Sequence, residues 1–287
     1  VVLIDAALND TLGGMDRGER VIQPALSGKQ IREIDAVILS SALPERISGL
    51  SSVFSTYRVN RLYVPFPLAT DGVRVDFEQY VRLFAFGDLK MERRLKAGQN
   101  AGIPPGYFWE LAYESYNRLI EDVHRYQIPV THVKAGDKLT EAGTTIEVMY
   151  PAQTDKKFQQ YYDGLILKIS RAQQNFAYIA GNAHPLDGDI DFKADFVFVA
   201  DLPYPYEAFE NYVKRSHPEG VAVSFRFPSA WLMENYHLAG AISSRSRSYT
   251  PRFKQLQFPV YLTSENGAVQ VDQFRGSLKT RVFVKDN

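Results

Sequence analysis

The sequence predicts an α/β protein whose sheet is at least partly parallel. In the first 64 residues, short aliphatic and β-branched runs alternate with amphipathic stretches, in the order strand, helix, strand, helix, strand. That rhythm is the signature of βαβ units. The second half is richer in strand composition. No fixed-period repeat, low-complexity segment or domain-separating linker interrupts the 287 residues, so one large domain is expected.

Taken in order, Val1 to Ile4 reads as a buried strand ending at Asp5. After the Gly13-Gly14 loop, Gly18 to Leu26 reads as a helix entered through Glu19, with Gly28 as its stop. Ile34 to Ser40 is the next strand. A turn of small residues and proline follows, and then the pattern Ile47, Leu50, Val53, Phe54 predicts a helix to about Tyr57. Arg61 to Val64 is a short strand. The stretch 65–106 breaks the rhythm and reads as an insertion, with a helix expected around Phe77, Tyr80, Val81 and Phe84. Phe108 to Gln127 is a long helix, and Ile128 to Val133 a strand.

Strands follow at Thr144–Tyr150, Leu165–Ser170, Phe176–Ala180 and Phe196–Ala200. Tyr206 to Lys214 reads as a helix with Pro205 before it. Val221 to Ser224 is a strand and Trp231 to His237 a short helix. Strands at Pro259–Thr263, Ala268–Val271 and Arg281–Val284 close the chain. Glu265-Asn266-Gly267 is expected to join the first two as a hairpin.

Composition narrows the function classes. Lys plus Arg and Asp plus Glu are both 33, so no global field favours nucleic acid or an anionic membrane. Cysteine is absent, which removes disulfides, thiolate nucleophiles and cysteine-bound metals, and leaves cytoplasm and periplasm both open. No run approaches the ~18 apolar residues of a membrane span.

The stretch Ile38-Leu39-Ser40-Ser41-Ala42-Leu43-Pro44-Glu45-Arg46-Ile47-Ser48-Gly49-Leu50 occupies the strand-to-helix turn where α/β enzymes place their chemistry. It resembles, without a gap from Leu39, the metal-binding phrase of the metallo-β-lactamase fold, in the version found in DNA-internalisation competence proteins. Leu3-Ile4-Asp5-Ala6-Ala7, Val21 to Leu26, Ala135 to Leu139, Gly164 to Ile169, Phe176 to Ala183 and Tyr261 to Val269 resemble further phrases of that domain, in the same order. The resemblance implies an αββα sandwich of two mixed sheets flanked by helices. It also implies that a strand hairpin before Val1 is missing, so upstream residues or a partner are expected to cover that strand's edge.

The family's hydrolysis uses a metal, usually zinc, held by imidazole and carboxylate. Carried over, the ligand positions fall on Ser41, Leu43, Glu45, Arg46, Asn182 and Asp201. Leucine cannot ligate and arginine cannot lose its proton to do so. The expectation is therefore a chain without metal, cofactor or catalytic residues: a pseudoenzyme acting as a structural or binding subunit of a larger assembly. The alternatives are a metal-dependent nuclease or hydrolase of the competence type, and a nucleic-acid-binding module without chemistry. Arg46 either supplies a cation in the pocket, pairing with Glu45, Asp201 or Asp5, or points into solvent.

Other motifs carry less. The five histidines form no metal-spaced pair, although His184 follows a strand end at the rim of the implied pocket. Asp187-Gly188-Asp189-Ile190-Asp191 starts like a calcium loop, but Phe192 and Phe198 stand where that loop needs glycine and an acid. Ser40 and Ser41 lack a nucleophile elbow. Two basic clusters remain as candidate contacts: Lys90, Arg93, Arg94 and Lys96, and Arg245, Arg247, Arg252 and Lys254. Aromatics beside them favour a protein partner, with a membrane-bound complex among the candidates, over single-stranded nucleic acid.

Overall fold

The structure is a computed structural model. It describes residues 1–6, 16, 18–42, 44–66, 68, 106–150, 164–180, 186, 188, 190–200, 206–224, 251–263, 268–274 and 277–283. Contacts gather the chain into two compact units, one built mainly from Val1–His132 and the other from Val133–Thr154, Asp163–Phe227 and Ala241–Asn287.

The first unit contains strands Val2–Ile4 (β1), Glu33–Ile34 (β2), Ala36–Ile38 (β3), Arg58–Val59 (β4), Leu62–Val64 (β5) and Val130–His132 (β6). Its helices are Gln23–Gly28 (α1), Pro44–Ile47 (α2), Leu50–Thr56 (α3) and Gly106–Arg125 (α4). The main sheet has the order β1-β3-β5-β6, and every neighbouring pair is parallel. Parallel sheets are covered on both faces, and Ala36, Val37 and Ile38 are accordingly all fully buried. Leu50, Val53 and Phe54 of α3 join Val37, Leu62 and Leu119 in one apolar core.

Two expected elements are subdivided here. The strand expected over Ile34 to Ser40 breaks at Asp35: β2 pairs with β4, while β3 pairs with β1 and β5. The helix expected from Ile47 starts afresh at Leu50. The reason is local. Arg46's carbonyl accepts the Ala6 N–H at 2.7 Å and is diverted from the helical ladder. Before α1, a wide π-helical turn spans Gly18–Ile22. A Cβ on Gly18 would lie 2.2 Å from the Gly49 carbonyl oxygen, so only glycine lets these two turns meet.

The second unit contains Lys138–Glu141 (β7), Thr144–Tyr150 (β8), Ile166–Arg171 (β9), Gln174–Ile179 (β10), Phe196–Val199 (β11), Gly220–Val223 (β12), Val260–Leu262 (β13), Ala268–Phe274 (β14) and Ser277–Phe283 (β15), with helix Tyr206–Ser216 (α5). β13-β12-β11-β10-β9-β8-β7 form a mixed seven-stranded sheet. β7 to β10 run antiparallel and β10 to β13 parallel. The β7–β8 and β9–β10 turns put Ala142-Gly143 and Ala172-Gln173 at positive φ, between 46° and 72°. Two consecutive positive φ values define the hairpin turn that matches strand twist.

β7 escaped sequence reading because Leu139 is its one apolar residue. The expected Glu265-Asn266-Gly267 hairpin is corrected as well. β13 pairs in parallel with β12, and β14 pairs with β15. Burial decides this: Leu262 is 2% exposed in the core beneath α5, a position a two-stranded hairpin could not give it. The helices expected near Phe77 and Trp231 lie outside the described residues.

Candidate functional site

The register of β1 against β3 sets up a concentrated polar cluster. Ile4 lies beside Ile38, so the residues just past each strand emerge together at the carboxyl edge of the parallel sheet. Ligands of open α/β sheets bind outside that edge. Asp5 follows β1 with φ of 57°, a left-handed conformation that aspartate tolerates better than most residues. Its N–H still donates to the Ile38 carbonyl at 2.9 Å. The bend turns its carboxylate towards the end of β3. There the Ser40 N–H donates to Oδ1 at 2.7 Å and the Ser40 hydroxyl donates to Oδ2 at 2.6 Å.

Arg46 completes the cluster. Its Nε lies 3.6 Å from Asp5 Oδ2, with the arginine side chain 12% exposed and the aspartate 8%. A nearly buried carboxylate thus has two hydrogen-bond donors and a guanidinium to balance it, which is what burial of charge requires. The Ala6 N–H to Arg46 carbonyl bond ties the same two segments through their backbones. Ser41, 2% exposed, sits immediately beside Ser40.

Of the positions carried over from the metal motif, the structure brings Arg46 to Asp5, one of its three expected partners. Ser41 is buried at the same strand end, and Glu45 lies in α2. Leu43, Asn182, Asp201 and His184 lie outside the described residues. Sequence reasoning passed over Ser40 as the residue that holds Asp5. The available signal was the parallel pairing itself, which places the residue after one strand beside the residue after the next.

The Asp5, Ser40, Ser41 and Arg46 set does not fit a divalent metal. Its carboxylate is already engaged, its other oxygens are hydroxyls, and a guanidinium repels a second cation. Among the described residues, no group of three His, Cys, Asp or Glu is placed to hold a metal.

The described part of the second basic cluster is held within its own unit. Arg252 Nη1 lies 3.2 Å from Glu207 Oε1, and its guanidinium stacks 5.2 Å from the Tyr206 ring. Backbone hydrogen bonding at the start of α5, aided by Arg252, holds the Glu207 carboxyl below its usual value. Lys254, two residues on, is exposed. Lys90, Arg93, Arg94, Lys96, Arg245 and Arg247 lie outside the described residues. A separate cleft of about 490 Å³, between 54–60 and 126–129, includes none of Asp5, Ser40, Ser41 and Arg46.

No protein-family model matches the chain, and no curated protein does. Solved structures do. The chain is similar to a diphosphatase of the PhnP family at 13% identity, over 77% of this chain and 66% of that one, with a TM-score of 0.36. It is similar to the E377D mutant of the CmlA β-hydroxylase at 12% identity, over 80% of this chain and 43% of that one, TM-score 0.42. It is also similar to a mutant metallo-β-lactamase from Cronobacter sakazakii at 9% identity, over 88% and 86%, TM-score 0.36. The chain therefore spans just under two thirds of the diphosphatase and less than half of the hydroxylase.

The α/β class, with several sheets and helices, stands. The solved structures similar to the chain are metallo-β-lactamase-fold proteins. The expectation of a non-enzyme is corrected. These similar structures are a diphosphatase, a hydroxylase and β-lactamases, all enzymes, and nothing among the described residues marks the chain as catalytically dead.

Proposed function

We propose that this chain is a hydrolase of the metallo-β-lactamase-fold type whose pocket loop is organised by an ion pair at the place where related loops hold a metal. The observation that carries the reading is the Asp5–Arg46 contact, 3.6 Å and nearly buried, at the carboxyl edge of β1 and β3. The order of phrases shared with the competence-protein domain supports the same reading.

The substrate class follows from Arg46. A guanidinium carries five N–H donors in a planar fork, so it can face a carboxylate and also receive a phosphate or carboxylate from a substrate. Asp5 then fixes the orientation of Arg46, and Ser40 fixes Asp5. Developing negative charge beside a preoriented guanidinium is stabilised more than in water, where donors must reorganise. Hydrolysis of an anionic ester is the reaction this arrangement serves.

The test is a panel of bis-p-nitrophenyl phosphate, p-nitrophenyl phosphate and nitrocefin, assayed with chelator-treated protein. The expected outcome is turnover of a phosphate ester that survives chelation and falls by roughly 10²-fold or more in folded Arg46→Met. Turnover of none of the three would overturn the proposal. So would turnover abolished by chelation and restored by zinc.

A further inference from the structure

The β14–β15 ladder forms a sheet of its own. Seven residue pairs run from Ala268 opposite Phe283 to Phe274 opposite Ser277, and among the described residues neither strand pairs with a third. A two-stranded ribbon is marginal in water. Every second N–H and C=O along β15 points away from β14, as in any edge strand.

Residues opposite one another in an antiparallel ladder share a face. Val269, Val271, Leu278, Thr280 and Val282 therefore lie on one side, and Gln270, Asp272, Lys279 and Arg281 on the other. The first side is half-buried except for Val282, which is 39% exposed. On the second side Lys279 and Arg281 are exposed. Asp272 stands opposite Lys279 and reaches Arg281 at 3.2 Å. One carboxylate on β14 thus answers two cations on β15.

We propose that the outer edge of β15 docks an extended segment of a partner protein in which acidic residues alternate with apolar ones. Strand addition takes its affinity from main-chain hydrogen bonds and its specificity from alternate side chains. β14 is the template for the occupant: Val269 and Val271 meet the apolar side of β15, and Asp272 meets its cations. An incoming strand on the other edge faces the same two rows, with one positive charge still unbalanced among the described residues. A second copy of this chain is the disfavoured occupant. Pairing β15 with β15 would set the Lys279 and Arg281 pairs against each other, and like charges across a ladder destabilise it.

The probe is a labelled peptide, acetyl-Thr-Glu-Val-Glu-Val-Glu-Thr-amide, with a lysine-for-glutamate analogue as control, titrated into the full chain by fluorescence anisotropy. The acidic peptide is expected to bind at least tenfold more tightly than the lysine analogue. Its affinity is expected to fall by about tenfold in Lys279→Glu and to weaken in about 0.5 M salt, where the screening length drops to a few ångströms. Lys279→Gln, which leaves Asp272 and Arg281 in place, is expected to show an intermediate loss. Hydrogen exchange on the complex should gain protection in 277–283. No binding, equal binding of both peptides, indifference to both Lys279 substitutions, or dimerisation of the free chain by sedimentation would each overturn the proposal.

Discussion

The carboxyl edge of β1 and β3 and the core beneath α5 are both buried, and they are buried by opposite means. Beneath α5, Tyr206, Phe209, Tyr212 and Val213 make an apolar stripe at helical spacing. Phe253 closes it, with ring centroids 5.4 Å from Tyr206 and 5.7 Å from Phe209 at steep angles. Its stability comes from area removed from water and from close packing. At the carboxyl edge, Asp5, Ser40 and Arg46 are buried by pairing every charge, an arrangement that adds little net stability but is costly to break.

That contrast can be broken from either side. Phe209, fully buried, should show the largest effect: Phe209→Ala should cost about 3–5 kcal/mol in urea unfolding, by cavity formation. Arg46→Met should cost roughly 3 kcal/mol, because the Asp5 carboxylate stays buried without its cation. Asp5→Asn in that background should recover most of the loss, whereas no second substitution at the pocket should rescue Phe209→Ala. Ser40→Ala should cost less, about 1.5–2 kcal/mol, since the Ser40 N–H still serves Asp5.

The smallest effect at neutral pH belongs to Tyr212. Burial pushes its phenol well above the ordinary value of about 10. The folded state therefore keeps a proton that the unfolded chain releases. Stability is full below about pH 10 and falls as pH rises from there towards the raised folded value. Tyr212→Phe should leave the neutral-pH midpoint nearly unchanged and flatten the alkaline decline, read by urea midpoints across pH 8–11.

Much of this frame was legible beforehand. The alternation of apolar runs announced the parallel sheet because both faces of β3 and β5 are buried, which forces continuous aliphatic composition. α4 and α5 were legible through their 3.6-residue stripes. β7 was not, because a strand at the end of a sheet with Leu139 as its only apolar residue is specified by its hairpin turn and its partner β8. The β13 pairing misled for the converse reason: an Asn-Gly signal is local, while Leu262 answers to a core assembled from distant segments. At the site, the strand-end turn and Arg46 were legible by position. That Asp5 is the partner, and that Ser40 holds it, follows from the Ile4-to-Ile38 register, which no single segment carries.

The central claim is that Arg46 and Asp5 act as one unit in the pocket loop. A double-mutant cycle over Asp5→Asn, Arg46→Met and their combination, measured by urea unfolding, tests it most directly. The account predicts a coupling free energy of roughly 1.5–3 kcal/mol, in the range for contacting charged residues. Additivity within about 0.3 kcal/mol, the behaviour of independent sites, would contradict it.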